Sequence, residues 1–133
     1  MILGGGLPNA TAATEIIEFS KPTPAWVRMG DMPSGARVDG NSVLLPNGKL
    51  LAQGGSRVHN DPTTATLGAD LFDPATGTWS STNPGGAGFA TYPRLYHWVA
   101  LLLPDATVAT TGFESEKQHV GWTYRDLLTC LLI

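Results

Sequence analysis

The sequence contains few charged residues and a single cysteine. Only 14% of its 133 residues are charged, and the eight Lys and Arg residues are spread along a chain of formal net charge −3. A nucleic-acid-binding domain needs a basic patch that follows the phosphate backbone, so that function is disfavoured. Cys130 is the only cysteine, so the chain cannot form an internal disulfide, and cysteine usage does not indicate its compartment.

Long apolar runs are also absent. The longest, residues 127–133, is far shorter than the roughly 20 residues that cross a bilayer as a helix, which argues against a membrane-spanning segment. Met1 is followed by a Gly-rich stretch that has neither the basic segment nor the apolar run of a signal peptide. Asn9-Ala10-Thr11 is a glycosylation sequon, which fits a secreted protein, although such tripeptides often arise by chance.

Glycine and proline are abundant, and they indicate short strands joined by many turns. The chain has 16 Gly and 10 Pro, a balance typical of an all-β protein. Residues 41–55 read as two apolar strands around a Pro46-Asn47-Gly48 turn, and residues 97–113 repeat the pattern. We therefore predict antiparallel hairpins at 41–55 and 97–113, with no helix longer than two turns between Val43 and Trp79.

A second half of the repeat follows the first hairpin. Residues 69–79 alternate apolar and polar side chains, turn, and restart at Trp79, and residues 14–20 with Trp26 form an earlier counterpart. The two tryptophans lie about one propeller blade apart, and we interpret them as packing between blades. The predicted blades are the end of one at 1–31, a full one at 36–83 and the start of a third at 93–113.

The predicted architecture is a partial kelch-type β-propeller over residues 1–113 with a divergent tail over 114–133. At about 40 to 50 residues per blade the chain holds two to three blades, whereas closed propellers have at least about four. Strand edges and blade faces are then left uncovered, so we expect self-association or poor solubility. Within the tail, residues 124–133 fit a short helix or a strand, and periodicity does not decide between them.

Candidate chemistry lies at Tyr96 and His97, immediately before an apolar strand. Imidazole nitrogen and phenolate oxygen suit Cu(II), and a phenol, with an ordinary pKa of about 10, needs a metal or a basic neighbour to lose its proton at neutral pH. Adjacent residues on a regular strand point to opposite faces, so both reach one metal only in the loop before the strand, which Pro93 marks. The alternative is an exposed loop pair without a metal.

The surrounding residues resemble the copper radical oxidases, the family of galactose oxidase and glyoxal oxidase. Arg94-Leu95-Tyr96-His97 followed by 101–105 is similar to the family segment R-x-Y-H-S-x-x-L-L-L-P-D-G. Upstream, Met32-Pro33, Ala36-Arg37-Val38 and residues 44–48 resemble the M-P, A-R-V and L-L-P-N-G of glyoxal oxidase. The resemblance covers roughly residues 1–113.

This resemblance implies an extracellular enzyme that closes a seven-bladed kelch-type propeller around one copper. The family oxidises an aldehyde, alcohol or carbohydrate with dioxygen and releases hydrogen peroxide. By resemblance, Tyr96 is an axial metal ligand and the catalytic acceptor of the substrate's proton, and His97 is an equatorial metal ligand. The family's radical Tyr, its cross-linked Cys and its second His have no match here, and we interpret His59 and His119 as surface histidines.

Two function classes follow. The first is a fragment or diverged relative of a copper radical oxidase, and the second is a non-catalytic kelch-like binding module. Stable metal sites usually use three or more protein ligands, and only Tyr96 and His97 are identified. We therefore expect Cu(II) to bind no more tightly than to a surface histidine, and we expect no oxidase activity from this chain alone.

Overall fold

The structure, a computed structural model, describes residues 1–82 and 90–112 and the backbone of 129–131. These residues form ten short strands and one 3-10 turn at Pro62–Thr64. The strands are β1 Ile2–Leu3, β2 Thr14–Ile17, β3 Trp26–Arg28, β4 Asn41–Leu44, β5 Leu50–Gln53, β6 Asp70–Asp73, β7 Thr78–Ser81, β8 Val99–Leu102, β9 Val108–Thr111 and β10 Thr129–Leu131. Between Val43 and Trp79 no longer helix occurs, which confirms that prediction.

The strands form three antiparallel sheets: the first lies within 1–31, the second within 36–83, and the third combines two strands of 93–113 with one from the predicted tail. The first has the order β1-β2-β3, the second β4-β5-β6-β7 and the third β10-β9-β8. Within the tail, β10 pairs with β9 on the side away from β8, so this short piece is a strand. Residues 113–128, 132 and 133, which include most of the predicted tail, lie outside the described residues.

Both predicted hairpins are present, and their turns have the same hydrogen bonds. Leu45 donates from its backbone N to Lys49 O at 2.8 Å and accepts from Gly48 N at 2.9 Å. Leu103 makes the equivalent two bonds in the second hairpin, at 2.8 and 3.0 Å. The equivalent turn residues Gly48 and Ala106 both have a left-handed backbone, with φ of 81° and 66°.

Single substitutions of Gly48 and Ala106 test how much free energy the left-handed backbone costs an L residue. An L residue in the left-handed region costs roughly 1 kcal/mol or more, whereas glycine adopts it freely. Ala106→Gly should therefore raise the free energy of unfolding by about 0.5 kcal/mol, after the greater unfolded-state entropy of glycine is deducted. Gly48→Ala should lower it by about 1 kcal/mol, and only through strain, since an added Cβ meets nothing within 4 Å. Urea unfolding measures both, and shifts in the same direction would contradict this account.

The buried core joins the second and third sheets. Its apolar members are Val43, Leu45, Leu51, Ala69 and Val108, with Leu71 and Ala100 packed against them. Strand β4 lies beside β8, and Asn41 Nδ2 donates to Trp98 O at 3.0 Å. The loop that precedes β8 is therefore held against the second sheet.

The two repeat tryptophans have different environments. Trp79 packs on Phe72 at a ring-centroid distance of 5.2 Å and donates from Nε1 to Thr14 Oγ1 of the first sheet at 3.1 Å, as expected of a residue between blades. Trp26 is 48% exposed, so the interpretation that it packs between blades is wrong. The reason is that β3 is an edge strand whose three residues are all exposed.

A buried ion pair connects the segment before β4 to β6. Arg37 Nη2 lies 2.7 Å from Asp70 Oδ2, and the two side chains are 2% and 0% exposed. Asp70 also accepts from Ser34 N at 3.0 Å and Ser34 Oγ at 2.7 Å, and Arg37 Nη1 donates to Gly54 O at 3.2 Å. Burial lowers the pKa of Arg37, and the charge of Asp70 opposes that change.

Several large apolar side chains stay exposed on or next to strands: Trp26, Val27, Leu44, Val99, Leu101 and Leu102. Such exposure agrees with the expected self-association, which stays a prediction. In the described part of the chain, no helix has the length and apolar character needed to span a membrane.

Candidate functional site

Tyr96 and His97 lie in the loop between Pro93 and β8. His97 has a left-handed backbone with φ of 65°, which breaks the strand alternation before Val99. The two rings stack, with centroids 3.9 Å apart and planes inclined by 27°. The two residues therefore lie where the strand alternation is broken, as predicted; that they bind one metal stays a prediction.

The motif residues divide into a buried pair and an exposed pair. Arg94 and Leu95 are buried, and Arg94 O accepts from Gly55 N at 2.7 Å. Tyr96 is 48% exposed, and His97 is exposed as well. The first pair therefore anchors the loop to the second sheet, while the second pair presents metal-capable side chains to solvent.

Trp98 anchors the other side of the loop. Its ring is 6% exposed, and its Nε1 donates to Asp39 O at 2.6 Å. A Cβ at Gly54 would lie 2.4 Å from the Trp98 ring, and one at Gly112 would lie 2.3 Å from Trp98 Cα, so side chains do not fit at either glycine. Trp98 was not predicted from the sequence to have a role in the site. The glycines that end the two hairpins, Gly54 and Gly112, were the sequence feature that could have indicated a large side chain packed against them.

His59, in the loop after β5, contacts Tyr96. Its ring centroid is 6.0 Å from that of Tyr96, in an edge-on arrangement with an interplanar angle of 68°. Its Nδ1 lies 2.8 Å from Asp39 Oδ2, and because a carboxylate only accepts hydrogen bonds, Nδ1 carries the proton. In the neutral imidazole, Nε2 is then the nitrogen with a lone pair for a metal.

The sequence interpretation of His59 described only part of its environment. The side chain is 47% exposed, as a surface histidine would be, yet it contacts both Asp39 and Tyr96. These residues are far apart along the chain, and no motif spacing relates them. Only the folded arrangement reveals the contact.

The donor types in the cluster fit Cu(II). Two imidazoles and a phenol are ligands that copper accepts, and a histidine paired with a carboxylate is typical of metal sites. Among the described residues, no three His, Cys, Asp or Glu side chains are placed to hold a metal. The His119 and Cys130 side chains lie outside the described residues.

No family model matches the chain, but individual proteins do. It is 36% identical over 105 residues to aldehyde oxidase GLOX of Vitis pseudoreticulata, covering 72% of this chain and 18% of that protein. It is 30% identical over 117 residues to a galactose oxidase of Gibberella zeae, covering 81% and 16%. The chain therefore spans less than a fifth of these relatives.

The structure matches a fungal alcohol oxidase of the AA5 family solved in complex with copper. The TM-score is 0.71 with 32% identity, over 83% of this chain and 23% of that one. This chain is a relative of the copper radical oxidases. The predicted resemblance to galactose and glyoxal oxidase is confirmed, and the homologous family is copper-dependent.

The fold of this copper radical oxidase relative is also confirmed as an all-β, partial kelch-type β-propeller. The structure of YjhT matches with a TM-score of 0.54 at 15% identity, over 84% of this chain and 32% of that one. At that identity the match concerns the fold alone. Copper binding by Tyr96 and His97 is still a prediction for this relative.

Proposed function

We propose that Tyr96 and His97 are copper ligands, and that this chain contributes part of a copper radical oxidase centre. The substrate class is a small alcohol or aldehyde, including a carbohydrate hydroxyl. One observation carries the proposal: the left-handed His97 stacks its ring against Tyr96 within an R-x-Y-H segment, in a chain related to copper-dependent oxidases.

The proposed roles follow from the chemistry of each side chain. Copper, when bound, would supply one-electron redox chemistry between the substrate and dioxygen. The Tyr96 phenolate oxygen would accept the proton of the substrate hydroxyl, and an imidazole nitrogen of His97 would bind the metal. Oxidation of an alcohol to an aldehyde releases two electrons and two protons, which reduction of dioxygen to hydrogen peroxide consumes.

We further propose that this chain alone does not turn over substrate. One copper ion cycling between Cu(II) and Cu(I) stores one electron, so the reaction needs a second electron acceptor. The resemblance assigns that task to a Tyr-Cys pair with no match in this sequence, where Cys130 is the only cysteine. An extracellular location is part of the proposal; Asn9 of the sequon is exposed, which fits it.

A Cu(II) titration of the purified chain at about pH 7.5, where unperturbed histidines are neutral, tests the ligand assignment. His97→Gln should weaken binding by about tenfold, because it removes an imidazole ligand. Tyr96→Phe should change the affinity less than His97→Gln does, because a neighbouring imidazole ligand remains. The copper-loaded wild-type chain should show a visible phenolate-to-copper absorption band that Tyr96→Phe lacks.

His119→Gln is the matched control, since it removes one histidine that the proposal does not use. Equal affinity for the wild-type chain and His97→Gln would overturn the ligand assignment. Hydrogen peroxide formed from a small alcohol or aldehyde by the copper-loaded chain would overturn the proposed inactivity.

A further inference from the structure

We propose that His59 is a third copper ligand of this chain and that Asp39 holds it in position. The inference rests on the proposed function, because it takes Tyr96 and His97 as the other ligands. Tyr96 contacts both imidazoles, one stacked at 3.9 Å and the other edge-on at 6.0 Å between ring centroids. The three metal-capable side chains therefore form one exposed cluster.

The Asp39–His59 contact has the form of a supported metal ligand. Histidines that bind metals almost always donate their second ring N–H to a carboxylate, a carbonyl or water, which orients the ring and raises its basicity. Nδ1 of His59 lies 2.8 Å from Asp39 Oδ2, so Nε2 is the nitrogen left to bind a metal.

Asp39 is held more firmly than a carboxylate in an ordinary surface ion pair. It is 11% exposed, and its backbone is left-handed with φ of 60°. Its carbonyl accepts from Trp98 Nε1 at 2.6 Å, and its carboxylate accepts from Asn60 N at 3.1 Å. The same buried tryptophan that anchors the His97 loop thus fixes the partner of His59.

The loop that carries His59 is also anchored on both sides. Ser56 forms backbone bridges with Val38 and with Ala65, and Val58 forms one with Asn9. Ser56 Oγ also donates to Val58 O at 2.6 Å. The loop can therefore hold His59 beside Tyr96, where both side chains are about half-exposed.

A third ligand changes the expected strength of copper binding. With two ligands, Cu(II) should bind like a surface histidine; with three, a stable site becomes possible. Titration of the full chain with CuSO₄ at about pH 7.5 separates these cases, and His59→Gln should weaken binding by about tenfold. Asp39→Asn should weaken it less, since asparagine tolerates a left-handed backbone and keeps an acceptor oxygen. His119→Gln should leave binding unchanged.

Electron paramagnetic resonance gives a second readout that does not depend on affinity. The wild-type Cu(II) complex should show hyperfine coupling to two imidazole nitrogens, reduced to one in His59→Gln and in His97→Gln. Far-UV circular dichroism checks that each variant keeps its strands, which we expect because His59 is half-exposed.

The possible outcomes distinguish this inference from the proposed function. If His59→Gln and His97→Gln each lower the copper affinity and each remove the hyperfine coupling of one imidazole nitrogen, the inference and the proposed function are both supported. Loss in His97→Gln alone overturns the role of His59 and leaves the Tyr96–His97 site standing. No change in either variant overturns both.

Discussion

Arg37→Met is expected to lower the free energy of unfolding by about 3–5 kcal/mol, the range for breaking a buried ion pair by removing one partner. The substitution leaves the Asp70 carboxylate in a fully buried position without its cation, with only its hydrogen bonds from Ser34. It also removes the Arg37 bond to Gly54 O, just after β5. Urea unfolding followed by circular dichroism measures the loss.

Lys21→Met is the matched control, since it breaks an exposed pair with Glu18 and should change stability by less than about 1 kcal/mol. The double variant Arg37→Met/Asp70→Leu should recover much of the lost stability, because it removes both charges from the interior. Equal effects of Arg37→Met and Lys21→Met would contradict the ion pair's role.

Trp98→Ala is expected to cost about 3–5 kcal/mol, as large aromatic truncations in cores do. The ring is almost fully buried, lies against Gly54 and donates to the Asp39 carbonyl. Its loss should also release the loop that carries Tyr96 and His97, so copper affinity should fall with stability. Thermal unfolding and Cu(II) titration measure the two effects on the same preparation.

Trp26→Ala provides the comparison, because Trp26 is a half-exposed tryptophan on an edge strand. Its cost should stay within about 1 kcal/mol, and copper binding should not change. If the two tryptophan variants were equally stable, Trp98 would not be the anchor of this loop.

Local chemistry explains why the hairpins and the candidate ligand pair were predictable from sequence. Pro46-Asn47-Gly48 places a fixed φ, a side-chain acceptor and a left-handed backbone at consecutive positions, which favours a turn between the two apolar runs. The break in alternation at His97 is equally local, since a continuous apolar strand begins just after it. The turn at Ala106 adopts the same left-handed conformation as Gly48 even though the glycine is absent.

Contacts between distant residues were not predictable from the sequence, because they depend on how the sheets pack. Trp26 and Trp79 occupy equivalent positions in the sequence repeat. In the structure, however, Trp26 is half-exposed on an edge strand, whereas Trp79 donates a hydrogen bond to Thr14 of the neighbouring sheet. Periodicity left β10 undecided, and its pairing with β9 made it a strand. The sequence by itself determined the turns, the strand pattern and the Tyr96–His97 pair; only the tertiary structure placed Asp39 and His59 beside that pair, because packing around buried Trp98 brings these loops together.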